Sequence, residues 1–285
     1  GVSGGAPPDQ YNQLGQDWSQ PPWHPTRLAE SGYAAYRDMV RAVLSDAGGV
    51  RVDHVIGLFR LWWVPNGQPP NRGAYVRYDH EALIGILVLE AQRTGAVVIG
   101  EDLGVVAPEA RDYLLERGLL GTSIAWFEWE SEGRPLPPER YRELCLSTVT
   151  THDLPPTAGY LELEQIELRS RLGLLTRPVE EERKVERRGI EAMIGLLRER
   201  GLVGAEASTE EVVIGMHRLL AQTPSLLRGV ALADLIGDRR IINQPGTSNE
   251  YPNWRLPLAG PDGTPMLLEE IVAAPLPARL AARML

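Results

Sequence analysis

Short apolar runs and longer stretches of helical periodicity alternate along this chain. The apolar runs predict five strands, at residues 50–53, 96–100, 122–127, 146–150 and 229–235. Helical stretches separate them, beginning with 31–44, 81–94 and 108–118. Because this alternation is typical of a mainly parallel α/β sheet, the sequence predicts either a doubly wound sheet or a (β/α)8 barrel, and five strands are too few to close such a barrel.

Three further segments have no place in that alternation. Residues 1–27 and 61–78 are rich in Gly, Pro, Trp and polar residues and are predicted to be loops. Residues 161–225 are predicted to form a helical insert before the last strand. The Arg and Glu residues at 180–200 are typical of a solvated helix face, which needs no partner.

Composition excludes several classes of protein. The single cysteine, Cys145, excludes a disulfide framework and a four-cysteine zinc site. A formal net charge of -9 argues against nucleic acid as the main partner. No apolar run approaches the roughly 20 residues that span a bilayer, so we expect no membrane segment. GxGxxG, GxxxxGK[ST] and GxSxG motifs are absent from the sequence.

Acidic residues follow three of the predicted strands. Asp53 ends the first, Glu101 follows the second and Asp153 follows the fourth. Side chains at the carboxyl ends of parallel strands share one face of the fold, so we expect these three carboxylates to meet there. Arg51 lies on the same strand face as Asp53 and would stabilise its charged form. Glu101 follows an all-apolar run, and a dry setting suits a proton donor. Paired carboxylates in different environments are typical of glycoside cleavage.

Other readings of these residues stay open at this point. Any one acid at a strand end is often a helix cap or a loop ligand, and Asp102 is well placed to cap the helix that follows it. His54 and His152 suit either a core or a site, and together with the acids they also allow a metal site. The tryptophans suit a core, although Trp18, Trp62 and Trp63 lie in predicted loops beside the acids, where they would stack on sugar rings.

Five segments taken together resemble the 4-α-glucanotransferases (amylomaltases) of glycoside hydrolase family 77. In order, they are GAPPDQYNQLGQDW at 5–18, RVDHVIGLFRLWWVP at 51–65, IGEDLG at 99–104, TTHDLPPTAGY at 150–160 and NQPGTSNEYPNWR at 243–255. The last is the most distinctive, and the resemblance covers essentially the whole chain.

The resemblance implies a retaining double displacement that transfers α-1,4-linked glucan segments to another glucan without metal or organic cofactor. By motif position, Asp53 would be the nucleophile, Glu101 the acid and base, and Asp153 the stabiliser of the transition state. Arg51 would orient Asp53. The further substrate-binding residues implied are His54, His152, Tyr11, Trp18, Asp102, Asn249 and Glu250. A glucan donor and acceptor would be the partners, and the location would be cytoplasmic.

The first segment departs from the family pattern. Gln10 replaces an aromatic residue, Tyr11 takes a Phe position and Trp23 takes a Tyr position. These three changes affect positions that the resemblance implies would stack on the acceptor sugar. The resemblance also implies that residues 1–285 are one catalytic domain holding only barrel strands four to eight, with 161–225 as its helical insert. A related retaining glucan hydrolase, and an inactive or glucan-binding fragment, are the alternatives.

Overall fold

Nine strands and eleven helices occur in the computed structural model, which describes residues 1–9, 12–104, 106, 108–131 and 133–284. The strands are β1 Val2–Ala6, β2 Gln16–Asp17, β3 Gly49–Val52, β4 Arg60–Pro65, β5 Ala74–Arg77, β6 Val97–Gly100, β7 Gly121–Ile124, β8 Cys145–Thr148 and β9 Leu227–Gly229. The helices are α1 Pro25–Glu30, α2 Ala34–Leu44, α3 His80–Thr94, α4 Pro108–Glu116, α5 Thr157–Leu161, α6 Glu164–Arg171, α7 Val179–Glu199, α8 Thr209–Ala221, α9 Leu232–Ile236, α10 Leu268–Ala273 and α11 Pro275–Met284. The chain divides into two units, Gly1–Thr122 and Ser123–Leu285.

A four-stranded antiparallel sheet in the first unit corrects both loop predictions. Its order is β2-β1-β4-β5, so strands lie within 1–27 and within 61–78. β1 has no alternation of apolar residues, and it becomes a strand because it pairs along β4, from Val2 opposite Pro65 to Gly5 opposite Trp62. Gly5 permits this arrangement, since a Cβ there would lie 2.1 Å from the Gln16 carbonyl oxygen.

The parallel pair β3-β6 is the part of the first unit that positions the candidate site. Val50 lies opposite Val98 and Val52 opposite Gly100, so the two strands end in register. Ile99 also bridges to Leu120 in parallel, just before β7. Helices α2 and α3 cover these strands with a buried cluster that includes Tyr36, Val40, Leu44, Ile84 and Leu87. Each such side chain contributes roughly 1.5–3 kcal/mol when fully buried.

Only part of the predicted apolar face of α2 is buried. Tyr36, Val40 and Leu44 pack into the core, whereas Met39 and Val43 are nearly half exposed. The following helix has the ends that its sequence indicates. The Asp79 side chain accepts a hydrogen bond from the Ala82 N–H, and Gly95 ends α3 in the left-handed conformation.

The second unit combines the sheet β7-β8-β9 with long helices. β8 and β9 run parallel, with Ser147 opposite Arg228. Between them, α6, α7 and α8 give residues 161–225 the helical character expected from the sequence, while the status of this segment as an insert stays a prediction. α7 buries Ile190, Met193 and Leu197 on one face, and its charged residues lie largely on the other.

The predicted strand at 229–235 is wrong in its extent. β9 ends at Gly229, and residues 232–236 form helix α9 instead. Short apolar runs do not distinguish a strand from a buried helical turn, so periodicity alone misplaced this boundary. The strands predicted at 122–127 and 146–150 are confirmed as β7 and β8, with slightly different ends; residues 125–127 form a 3-10 turn.

A mixed α/β fold is thus confirmed. The helices of the described residues include none with the length and apolar character needed to cross a bilayer. The single catalytic domain over residues 1–285 stays a prediction.

Candidate active site

The ends of β3 and β6 bring Asp53 and Glu101 together in the first unit. The Glu101 N–H donates to the Val52 carbonyl at 2.9 Å, and the Val55 N–H donates to the Glu101 carbonyl at 3.0 Å. The two acids therefore follow adjacent strands while the backbone pairing continues past the strand ends. A carboxylate oxygen of Asp53 lies within 4.8 Å of one from Glu101.

Backbone donors hold both carboxylate oxygens of Glu101. Oε2 accepts from the His54 N–H at 2.9 Å, and Oε1 accepts from the Leu103 N–H at 2.8 Å. Glu101 is only 8% exposed. The main chain therefore fixes the orientation of the Glu101 carboxylate. Its burial agrees with the dry setting that the preceding apolar run predicts.

The Asp53 carboxylate is more open and lies next to positive charge. Arg51 Nη1 lies 2.6 Å from Asp53 Oδ1, and the Asp53 side chain is 44% exposed. A guanidinium at this distance stabilises the ionised carboxylate and limits its rotation. Arg51 and Asp53 are thus in direct contact, and the two carboxylates differ in exposure, while the roles that the sequence assigns to them stay predictions.

His54 lies beside Asp53 in a constrained backbone conformation. Its φ of 47° is in the left-handed region, which costs a residue with a Cβ about 1–2 kcal/mol. Its Nδ1 lies 3.4 Å from Asp53 Oδ2, and its ring stacks on Trp18 with 4.4 Å between ring centroids. This strained turn directs the His54 N–H to Glu101, so the conformation has a clear structural use.

Asp53, His54 and Glu101 also form a group that could ligate a metal ion, because each offers one ligand atom within 4.8 Å of the others. The donor set argues against this use. Arg51 already neutralises Asp53, and the guanidinium would repel a divalent cation. Both Glu101 oxygens accept backbone hydrogen bonds. The arrangement fits an organic substrate better than a cation.

Asp102 has a different environment from the one predicted for a substrate ligand. Its Oδ1 accepts the Thr122 N–H at 2.9 Å, its Oδ2 lies 3.5 Å from Arg111 Nε, and its side chain is 3% exposed. These contacts tie the end of β6 to the start of β7. They support a structural role for this carboxylate.

The second unit places His152 and Asp153 together after β8. Asp153 Oδ1 accepts a hydrogen bond from Asn243 Nδ2 at 2.7 Å, and Asp153 Oδ2 lies 3.4 Å from His152 Nε2. The His152 ring lies 5.3 Å from the ring of Trp254. The predicted meeting of Asp153 with the other two carboxylates stays a prediction.

Asn243 and Trp254 are site residues that the sequence reasoning missed, although both lie in the recognised segment at 243–255. That segment folds on itself through Asn253, whose Oδ1 accepts the Gln244 N–H at 2.8 Å and whose Nδ2 donates to Thr247 Oγ1 at 2.9 Å. Asn residues on both sides of a Pro-Gly pair are the sequence feature that predicts such a loop.

The substrate ligands predicted in this loop are Asn249 and Glu250. Glu250 accepts the Ser248 N–H at 2.7 Å, which lowers the pKa of its carboxyl, and both Asn249 and Glu250 are exposed. Their role in substrate binding stays a prediction. Tyr11, with Gln10 before it, lies outside the described residues.

Comparison with known proteins assigns the family. The family model of glycoside hydrolase family 77, described as 4-alpha-glucanotransferase, matches residues 1–261, and the chain belongs to this family. A 4-alpha-glucanotransferase of Mycobacterium tuberculosis is 62% identical over 277 residues, which are 95% of this chain. The crystal structure of amylomaltase from Corynebacterium glutamicum superposes with a TM-score of 0.92 at 47% identity over 99% of this chain.

A more distant structure shows the fold alone. The amylomaltase of Streptococcus agalactiae in complex with acarbose matches with a TM-score of 0.74 at 19% identity, over 99% of this chain and 50% of that one. The present chain spans 38% of the length of the M. tuberculosis relative and 42% of the C. glutamicum amylomaltase.

Proposed function

We propose that this chain carries the reacting carboxylates of a 4-α-glucanotransferase, which moves α-1,4-linked glucan segments from a donor to an acceptor glucan. The distance between Asp53 and Glu101 carries this proposal. Their carboxylate oxygens approach within 4.8 Å, close to the roughly 5–5.5 Å typical of retaining glycosidases and shorter than the roughly 6.5–9.5 Å of inverting ones. Inverting enzymes need the larger separation because a nucleophilic water lies between their carboxyl groups, so the shorter separation here favours direct attack by Asp53.

In the first step, an Asp53 carboxylate oxygen attacks the anomeric carbon of the donor. The glycosidic bond breaks, its electron pair stays on the leaving oxygen, and that oxygen takes the proton of Glu101. The product is a glycosyl ester of Asp53. The contact with Arg51 orients Asp53 for the attack, while the His54 and Leu103 N–H groups hold the Glu101 carboxyl in place.

The second step uses the same residues in reverse. The Glu101 carboxylate removes the proton of the acceptor 4-hydroxyl as its oxygen attacks the anomeric carbon. The bond to Asp53 breaks, and its electron pair returns to the carboxylate. Stacking of an acceptor sugar on the aromatic surface near Trp18 would favour this step over hydrolysis.

Asp153 is the third carboxylate of the proposal. Its hydrogen bond from Asn243 and its contact with His152 orient it for binding sugar hydroxyls in the transition state. His54, His152, Asn249 and Glu250 are proposed as further hydroxyl ligands, and no metal or organic cofactor takes part.

The finer fold assignment is part of the same proposal. The five strands β3, β6, β7, β8 and β9 would correspond to strands four to eight of a (β/α)8 barrel. The order of these strands along the chain, the parallel pairs β3-β6 and β8-β9, and the similarity to amylomaltases support it. A cytoplasmic location goes with this assignment.

Product analysis tests the proposed function. The native protein is purified from the cells that produce it and incubated with maltotriose, and the products are separated by length. Longer maltooligosaccharides appearing together with glucose support the transferase. Glucose and maltose alone would assign a hydrolase, and unchanged maltotriose would contradict both.

A further inference from the structure

A buried carboxylate in the second unit anchors the segment that carries Asp153. Asp234 lies on α9 and is 1% exposed. The contacts described for its carboxylate are with Thr157 and His217. Its Oδ1 accepts the Thr157 N–H at 2.6 Å, and its Oδ2 accepts the Thr157 hydroxyl at 2.8 Å. Thr157 is the first residue of α5 and is completely buried.

A buried histidine lies beside this carboxylate. His217 is 0% exposed, and its Nε2 lies 3.6 Å from Asp234 Oδ2. Its Nδ1 lies 2.8 Å from the Val213 carbonyl oxygen, which only accepts, so Nδ1 carries a proton. A bare Nε2 lone pair would then face a buried carboxylate, which is repulsive. The pair is therefore expected to hold one further proton, on either Nε2 or Asp234.

The link from Thr157 to Asp153 is short and stiff. Pro155 and Pro156 directly precede Thr157, and proline rings fix φ and reduce the freedom of the chain. The Thr150 hydroxyl donates to the Pro155 carbonyl at 2.9 Å, which closes the turn that presents His152 and Asp153. A displacement of Thr157 would therefore be passed on to Asp153.

Close backbone packing fixes α5 at a second point. A Cβ at Gly159 would lie 2.0 Å from the Arg239 carbonyl oxygen, so α5 packs directly against the chain that follows α9. Asp234 and this contact both come from the segment after β9. Together they set where α5 begins.

We propose that Asp234, paired with His217, is a positioning residue that holds Asp153 in its reactive orientation through Thr157 and the two prolines. The inference rests on the proposed function, because Asp153 acts only if the protein transfers glucans. Neither Asp234 nor His217 contacts the substrate in this proposal.

Three variants at the anchor test it, with kcat and KM measured on maltotriose. Asp234→Asn is expected to lower kcat by about tenfold or more, with KM changed by less than about threefold, because misplacement of Asp153 affects the transition state more than the ground state. Thr157→Val, which removes only the hydroxyl, is expected to lower kcat by a smaller factor. Thr157→Ser keeps both donors and is expected to retain kcat within about twofold.

Leu197→Ala is the control for a purely structural role of Asp234. It creates a cavity at a buried position on α7 and is therefore also expected to lower the melting temperature. All variants are assayed at a temperature where each is folded. A comparable loss of kcat in Leu197→Ala, or unchanged kcat in both Asp234→Asn and Thr157→Val, would overturn the inference. A wild-type protein without transfer activity would instead contradict the proposed function.

Discussion

Glu101 Oε2 accepts a hydrogen bond of 2.9 Å from the backbone N–H of His54, the residue that follows Asp53. This contact joins the candidate acid and the candidate nucleophile through the main chain. It depends on the left-handed conformation of His54, since that turn directs the N–H toward β6. The main chain thus fixes the Glu101 carboxylate relative to the backbone next to Asp53, while the Arg51 side chain orients the Asp53 carboxylate.

Asp53→Asn removes the nucleophile with almost no change of volume. We expect kcat for maltotriose to fall by at least about 10³-fold, with the fold retained, because an amide oxygen does not form the glycosyl ester. Melting temperature and kcat are measured together. Asp46→Asn, an exposed acid after α2, is the matched control and is expected to behave as the wild type. Comparable transfer by Asp53→Asn would rule out this residue as the nucleophile.

Arg51 contributes both charge and geometry to Asp53. Arg51→Lys keeps the charge but loses the planar fork, so we expect kcat/KM to fall by about 10- to 100-fold, and Arg51→Met to lose more. Steady-state kinetics on maltotriose checks this order. Arg37→Lys, at an exposed ion pair on α2, serves as the control. Equal activities of Arg51→Met and wild type would mean that Asp53 needs no guanidinium.

Asn243 donates to Asp153 Oδ1 at 2.7 Å, and no other residue of its loop has this contact among those described. We expect Asn243→Ala to lower kcat by about 10- to 100-fold, because Asp153 loses its orientation. Asn243→Asp is expected to lose more, since two carboxylates would then face each other. Ser248→Ala in the same exposed loop is the comparison. The prediction fails if both Asn243 variants match Ser248→Ala in kcat.

The pH dependence of stability is expected to change when Glu90 is replaced. The hydrogen bond from Arg41, with help from Arg93, lowers the pKa of the Glu90 carboxyl below its ordinary value of 4.5. The stabilisation is therefore complete above about pH 4.5 and is lost as the pH falls through the lowered pKa. Glu90→Gln should lower the melting temperature at pH 7, and the gap should close in acid. Glu30→Gln is the exposed control, and a gap that does not depend on pH would contradict the ion-pair explanation.

Local patterns in the sequence predict the part of the fold that carries the candidate nucleophile and acid. The strands β3 and β6 are short apolar runs with acids directly after them, so both their existence and the proximity of Asp53 and Glu101 follow from neighbouring residues. The relation of Arg51 to Asp53 follows from the period of a strand. These features depend on positions close in sequence.

Features that depend on distant partners were not predictable in this way. β1 is glycine-rich and becomes a strand only because β4 pairs with it sixty residues later. Asn243 lies 90 positions from Asp153, and Thr157 lies 77 from Asp234. No periodicity links such pairs, and only the folded chain brings the residues of each pair together.

Trapping the glycosyl ester tests the central claim most directly. α-Maltotriosyl fluoride needs little acid assistance, since fluoride leaves without a proton, whereas release of the glycosyl group requires the base. In Glu101→Gln the ester should accumulate, and proteolysis with mass spectrometry should locate the added sugar on the peptide that contains Asp53. Fluoride release with the sugar on a different residue, or with no covalent adduct at any stage, would contradict the account.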